Sequence, residues 1–255
     1  MKESGKFSTN IGGVQCDISA SFRDVGGDLI LLIHGLGCSK ESFDSIWDRP
    51  EFESYTILAV DLPGHGQSDK QMNFPYRMQD HALVCAQIID NFSYNRLHIV
   101  GHSMGGCVGL LLPDEILSSL ESFASVEGNL IAEDCSHGSR KTISVSFEKF
   151  KQTLFMKFKV QFADYANLDS VSDFAFYESA KSLVEWSDSG QLLEKFLGLD
   201  CRVKYFFGDL NSRHPTVDRV GEVPKCEMPE SGHFPMVDNP QFFYSELARF
   251  VNNVS

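Results

Sequence analysis

Several features that would place this 255-residue chain in a special class are missing from it. No run of about 18 apolar residues occurs, so no membrane-spanning helix is predicted. Residues 1–6 lack the apolar core of a secretory signal peptide. We therefore expect a cytoplasmic protein without stable membrane association.

Signals for disulfides, metals and cofactors are also missing. The chain has seven cysteines, an odd number, and they form no Cys-x-x-Cys pair, which argues against a disulfide framework and a zinc site. There is no His-Glu-x-x-His motif, no dinucleotide fingerprint and no phosphate loop ending in Gly-Lys-Ser/Thr. The sequence therefore predicts reduced thiols, no metal and no organic cofactor.

Positive charge is scarce. Lysine and arginine number 22 against 35 aspartates and glutamates, and the formal net charge is -13. This balance opposes binding to nucleic acid, which would require a basic patch. Hydrophobic residues make up 42% of the chain and include 21 phenylalanines, enough for one sizeable core. The charge says little about a small neutral substrate.

The apolar pattern predicts an α/β fold. Strands are predicted at Phe7–Ile11, Gln15–Phe22, Leu29–His34, Thr56–Val60, Arg96–Val100, Ser122–Val126, Cys201–Phe207 and Pro224–Met228. Helices are predicted at Glu41–Trp47, Tyr76–Phe92, after Gly105, at Val145–Phe162, Ser172–Trp186 and Gln191–Leu197, and from Pro240. Continuous apolar runs are typical of buried parallel strands. Two early strands followed by strand-helix units favour an open, mostly parallel sheet flanked by helices.

Residues 130–199 have a different character, since they are polar and aromatic with helical patches and without a strand. Helices inserted between two late strands of a parallel sheet predict a cap over a site. We expect a core domain of residues 1–129 and 200–255, with residues 130–199 as a helical cap within that single domain. Most apolar cap residues should build the cap's own core, and a minority should contact a ligand.

The central stretch 99–106 predicts a very tight turn between a strand and a helix. Ser103 lies at the turn, and only small residues such as Gly101 and Gly105 avoid collision around it. Taken alone, a glycine-rich turn of this kind could equally cradle a phosphate. The chain also supplies an acid and a histidine later in sequence, and a serine nucleophile needs both.

Three motifs resemble the α/β-hydrolase family: Gly-x-Ser-x-Gly at 101–105, the His-Gly-x-Gly loop at 34–37, and the turn at 61–68. The resemblance is to the serine hydrolase branch, esterase-like or lipase-like, with a helical cap. It implies Ser103 as nucleophile and His233, in a Ser-Gly-His-Phe-Pro loop, as base. His34 and His65, which lie in the other two motifs, are interpreted as structural histidines.

The resemblance also implies an oxyanion hole. Its donors are the backbone N–H groups of Leu36 and Met104. Gly35 belongs to the loop beside the turn, and Gly101 and Gly105 shape the turn itself.

The position of the expected catalytic acid departs from the commonest pattern in the family. Asn211 stands where most relatives carry aspartate, and asparagine cannot compensate an imidazolium charge. Some members, certain haloalkane dehalogenases among them, place a glutamate at the end of the strand before the cap, as Glu127 is placed here. We prefer Glu127, with Asp209 as the alternative acid. A structural role for Glu127, capping the first turn of the cap, stays open.

The resemblance implies a serine hydrolase, carboxylesterase-like, that cleaves a carboxylic ester or similar acyl substrate through an acyl-enzyme on Ser103. The expected partner is a small, apolar acyl substrate; oligomeric state is left open. A dehalogenase or epoxide hydrolase would need aspartate at position 103. Lactonase, amidase and C–C bond hydrolase activities of the same fold remain alternatives. A non-hydrolytic small-ligand receptor or scaffold, which belongs to a different functional class, also remains an alternative.

Overall fold

A computed structural model describes residues 1–136 and 138–253. Their strands are β1 Glu3–Ile11, β2 Val14–Arg23, β3 Leu29–Ile33, β4 Thr56–Val60, β5 Leu97–His102, β6 Leu120–Val126, β7 Arg202–Gly208 and β8 Lys225–Met228. They form one eight-stranded sheet in the order β1-β2-β4-β3-β5-β6-β7-β8. The pairs β1–β2 and β2–β4 are antiparallel and all later pairs are parallel. The predicted mostly parallel sheet is confirmed.

The first strand is longer than its sequence pattern predicts. It begins at Glu3 rather than Phe7, because Glu3 pairs with Phe22 and Lys6 pairs with Ser19 across the antiparallel ladder. This part of the edge strand is largely exposed, so its polar residues carry no alternating apolar signal.

Helices cover both faces of the sheet. They are α1 Met78–Ile89, α2 Met104–Leu110, α3 Asp114–Leu117, α4 Ser139–Ile143, α5 Phe147–Lys149, α6 Phe155–Gln161, α7 Asp173–Asp188, α8 Gln191–Leu197, α9 Pro215–Arg219, α10 Pro235–Asp238 and α11 Pro240–Val251. The helix predicted at Glu41–Trp47 is present as a 3₁₀-helix that spans Lys40–Asp48. Alternate residues of β3 enter two different cores, Leu31 one and Leu32 the other, as the pleat requires.

The segment between β6 and β7 contains helices α4 to α8 and, over its described residues, no strand. The predicted helix Val145–Phe162 is continuous in α5 and α6, but a π-helical segment, Phe150–Leu154, joins them. Aromatic residues of this helical stretch pack with apolar residues from later in the insertion. Together they form a separate hydrophobic core, built on Phe150, Phe155, Phe158, Leu168, Val171 and Phe176. No helix within the described ranges is both long enough and apolar enough to cross a membrane.

Candidate active site

Ser103 lies between β5 and α2 in a strained conformation, with φ 52° and ψ -120°. The turn is as tight as its glycines predict. A Cβ atom on Gly101 would lie 2.6 Å from the carbonyl oxygen of Gly105, and one on Gly105 would overlap the Ile33 carbonyl. The backbone therefore holds the Ser103 side chain at the wall of a cavity. Strain of this kind persists only where the surrounding structure enforces it.

Glu127 and His233 meet at the same cavity. His233 Nδ1 lies 3.4 Å from Glu127 Oε2. The other carboxylate oxygen, Oε1, accepts hydrogen bonds from the Gly208 N–H at 2.8 Å and from Asn211 Nδ2 at 3.2 Å. The Glu127 side chain is 8% exposed, and that of His233 is 43% exposed. The carboxylate is thus fixed from the end of β7, with one oxygen turned toward the imidazole.

Asp209, the alternative acid, is not brought to His233. Its two carboxylate oxygens accept hydrogen bonds from the backbone N–H groups of Glu230 and Ser231, each at 3.0 Å. These bonds hold the pKa of Asp209 below its usual value. Asp209 therefore holds the loop that leads to His233.

The hydroxyl of Ser103 has a partner that the sequence did not indicate. Ser103 Oγ donates to Asn129 Oδ1 at 3.4 Å, and the Asn129 N–H donates to the Ser103 carbonyl at 3.3 Å. Ser103 and His233 line the same cavity, but no hydrogen bond joins their side chains. Asn129 follows the carboxyl end of β6, and such strand ends commonly supply site residues in open α/β sheets. Its position after a strand end was the only feature of the sequence that pointed to Asn129 as a site residue.

The loop after β3 packs directly on the Ser103 turn. A Cβ atom on Gly35 would lie 2.9 Å from His102 Nδ1 and 3.1 Å from the Cβ of Ser103. Gly35 and Leu36 line the cavity. Met104 is the first residue of α2, where backbone N–H groups lack intrahelical partners and the helix dipole is positive. Both predicted oxyanion-hole residues are therefore next to Ser103, one beside the cavity and one at the helix start.

Buried neutral histidines support these loops. Burial holds the pKa of His102 well below its usual range, and its Nε2–H donates to the His233 carbonyl at 2.8 Å. His34 Nε2 accepts from the Leu62 N–H at 3.0 Å, and its Nδ1–H donates to the Gly35 carbonyl at 2.8 Å. Burial also lowers the pKa of His34. His34 thus forms the structural contacts that its position at a strand end predicts, while His102 ties the base-bearing loop to the nucleophile turn.

The cavity has a volume of about 250 Å³, and two chemically different sets of side chains line it. Apolar side chains from the insertion form one wall: Phe158, Phe162, Leu168 and Phe176. Polar side chains outside the predicted site also line it, among them Asn129, Asp134, Asn211 and His214. Asp134 and His214 are far apart in sequence and belong to no local motif, so this pair could not be predicted from the sequence. The cavity can hold an apolar chain near a serine, an imidazole and a carboxylate.

Comparison with known proteins is consistent with this fold. Residues 28–180, more than half of the chain, match the family model for the alpha/beta hydrolase fold. A dihydrolipoyllysine-residue acetyltransferase component of an acetoin cleaving system, from Cupriavidus necator, is 37% identical over 97 residues, 36% of this chain and 25% of that protein. Lipase 3 of a Moraxella species is 34% identical over 94 residues, which are 36% of this chain and 29% of the lipase. The matched part of the chain thus spans between a quarter and a third of these relatives' length.

Several solved structures align over nearly the whole chain. A carboxylesterase of Nitrososphaera gargenis superposes with a TM-score of 0.78 at 16% identity, covering 97% of this chain and 98% of its own. At 16% identity, this similarity shows a shared fold alone.

Proposed function

Because the chain belongs to the alpha/beta hydrolase fold family, we propose that it is a serine hydrolase that cleaves a carboxylic ester or similar acyl substrate. One observation carries the proposal. A serine on a strained strand-to-helix turn lines the same cavity as an imidazole whose Nδ1 faces a buried carboxylate. A hydroxyl becomes a useful nucleophile when an oriented base takes its proton, and this set of groups can do that.

The proposed reaction has two steps. His233 takes the Ser103 proton as Oγ attacks the acyl carbon, and then returns that proton to the leaving alcohol. A water activated by His233 next attacks the acyl-enzyme, and the acid is released with Ser103 restored. Glu127 accepts from His233 Nδ1–H and compensates the charge on the imidazolium. The N–H groups of Leu36 and Met104 stabilise the oxyanion in both steps.

The Ser103 hydroxyl has to change partner for this reaction. Its bond to Asn129 is long, at 3.4 Å, so little energy opposes rotation of the side chain toward His233. Asn129 then serves as a resting acceptor for the hydroxyl.

We assign residues 130–199 as a cap over this site. Four phenylalanine or leucine side chains from that segment wall the cavity, which supports an apolar acyl group as the preferred substrate portion. The remaining parts of the chain, 1–129 and 200–255, then form the core domain that carries the nucleophile, the base and the acid. Lactone, amide and C–C bond cleavage would use the same groups and are tested by the same variants.

A fluorophosphonate probe tests the proposal directly. Labelling followed by peptide mapping is expected to place the phosphonyl group on Ser103. The Ser103→Ala variant should fold like the wild type, because the side chain contributes little packing, and should lose turnover of p-nitrophenyl butyrate. A variant that kept a tenth of the wild-type turnover would overturn the assignment.

A non-hydrolytic ligand receptor is the second candidate. It is favoured by one observation, since the Ser103 hydroxyl is bonded to Asn129 instead of His233 in this structure. A receptor would leave Ser103 unlabelled by the probe while a small apolar ligand still bound in the cavity. The two candidates therefore give opposite labelling results.

A further inference from the structure

The cavity contains a second carboxylate–imidazole pair. His214 Nδ1 lies 3.3 Å from Asp134 Oδ1, and the side chains are 30% and 8% exposed respectively. Both residues line the cavity that holds Ser103. The proposed reaction uses neither of them, so a polar pair at a largely apolar binding site needs another explanation.

The hydrogen bonds around Asp134 fix where the imidazole proton lies. Asp134 Oδ2 accepts from the N–H groups of Leu130, at 2.7 Å, and Ile131, at 2.8 Å. Asp134 Oδ1 accepts from the Thr216 hydroxyl. That hydroxyl has then used its only proton, so its oxygen, 3.1 Å from His214 Nδ1, can only accept from the ring. The proton of a neutral imidazole therefore lies on Nδ1.

This arrangement leaves the other edge of the ring as an acceptor. With Nδ1–H directed at Asp134 and Thr216, the Nε2 atom of a neutral His214 carries a lone pair. Among the described residues, Nε2 has no hydrogen-bond partner. His214 lines the cavity, so an unpaired acceptor on its ring favours a ligand that donates a hydrogen bond and disfavours one that leaves the acceptor unpaired.

We propose that His214 Nε2 accepts a hydrogen bond from an O–H or N–H group of the substrate, so that the substrate combines an apolar chain with a neutral hydrogen-bond donor. Asp134 and Thr216 act as positioning residues, because they hold the ring and its tautomer. The inference rests on the proposed function for the bond that is cleaved, whereas the binding contact is independent of it.

A carboxylate-bearing substrate fits this cavity less well. The buried Asp134 lies 3.3 Å from His214 Nδ1, and both Asp134 and Glu127 line the cavity. Two acidic side chains repel a third anionic group, and the chain as a whole has a net charge of -13. A neutral donor experiences no such repulsion.

The test uses matched esters at slightly alkaline pH. One series consists of methyl hexanoates with a hydroxyl at successive chain positions; a second ester, 2-hydroxyethyl hexanoate, carries the donor on the alcohol side. Each hydroxyl compound is compared with its fluoro counterpart, which is similar in size but cannot donate. For at least one pair, the wild type is expected to favour the hydroxyl compound by about tenfold in kcat/KM.

Variants separate recognition from general damage. In His214→Phe the hydroxyl-to-fluoro ratio is expected to fall close to one. In Asp134→Asn the amide oxygen keeps the bonds to Leu130 and Ile131, so the amide N–H₂ faces the ring and moves its proton to Nε2. The preference for a donor should then be lost although the side chain keeps its shape. Asp218→Asn, an exposed change on α9, is the matched control and should keep the wild-type ratio.

The binding contact is also measured without catalysis. Calorimetric affinities of the same pairs for Ser103→Ala report whether His214 recognises the donor even if no ester is hydrolysed. Failure of the proposed function thus appears as absent turnover with intact donor preference in binding. Ratios near one for every pair in the wild type, or an unchanged ratio in His214→Phe, would overturn the inference. So would a stronger preference for monomethyl adipate, which carries a carboxylate.

Discussion

Replacing Glu127 by glutamine is the sharpest test of the proposed site, because the structure determines how the new amide must sit. Oε1 of Glu127 accepts from two donors, the Gly208 N–H and Asn211 Nδ2. The amide oxygen of glutamine takes that place, since an N–H₂ group there would face two N–H groups. Its N–H₂ group is then directed at His233 Nδ1, where Oε2 lies 3.4 Å away in the wild type.

The consequence is a histidine with the wrong tautomer. An N–H₂ group can only donate, so His233 Nδ1 becomes an acceptor and the ring proton moves to Nε2, where it can no longer take the Ser103 proton. The imidazolium also loses its compensating charge. We expect kcat to fall by about 10²- to 10⁴-fold with KM little changed. This corresponds to about 3 to 5 kcal/mol of lost transition-state stabilisation.

The assay is steady-state hydrolysis of p-nitrophenyl butyrate, together with the rate of fluorophosphonate labelling, which should fall in parallel. Asp209→Asn is the matched control and should stay within a few-fold of wild type, because Asp209 is bonded to the loop backbone. Adding Asn211→Asp to Glu127→Gln returns a carboxylate to the same wall of the cavity and should restore part of the activity. A Glu127→Gln enzyme within threefold of wild type would refute the assignment, as would a larger loss from Asp209→Asn.

Three further predictions concern stability. Asp61 forms a buried ion pair with Lys40, and their side chains are 0% and 5% exposed. Asp61→Asn should lower the free energy of unfolding, measured in urea, by about 3 kcal/mol. A decrease of less than about 1 kcal/mol would contradict this. Burial lowers the pKa of His65 from 6.5 to about 3, so the contribution of its neutral form to stability is fully present above pH 6.5. That contribution is lost as pH falls from 6.5 toward 3, at about 1.4 kcal/mol per pH unit, and an unfolding free energy that stays flat between pH 7 and 5 would disagree. Gly105→Ala forces its Cβ into the Ile33 carbonyl and should abolish cooperative unfolding in near-ultraviolet circular dichroism, whereas a native-like transition would show that the turn can relax.

The sheet was predictable because its central strands are buried on both faces. The strand Leu29–Ile33 is entirely buried, and so is Thr56–Val60, so each is a continuous apolar run that stands out in the sequence. The 3₁₀-helix Lys40–Asp48 and the π-helical segment Phe150–Leu154 were not predictable in type. An apolar spacing near the helical period does not distinguish between helices whose hydrogen bonds span three, four or five residues.

The candidate site likewise has one part that the sequence predicts and another that it does not. The turn around Ser103 is encoded locally, since glycines on either side of the serine are required by backbone contacts within and beside the turn. Contacts between Asp134 and His214, or between Glu127 and Asn211, join residues about eighty positions apart. Such contacts depend on how the insertion and the strand ends come together, and a single sequence gives no periodic signal for them.

The position of the proposed acid follows from the register of two neighbouring strands. Val126 pairs with Phe206 in the parallel ladder between β6 and β7, and the Glu127 N–H donates to the Phe206 carbonyl at 2.8 Å. Residues just beyond the carboxyl ends of adjacent parallel strands therefore share one edge of the sheet. Glu127, which follows β6, faces His233 from this edge, so an asparagine at 211 does not remove the proposed acid from the site. Here Asn211 instead donates to Glu127, and its amide fixes the carboxylate in the position from which the other oxygen faces His233.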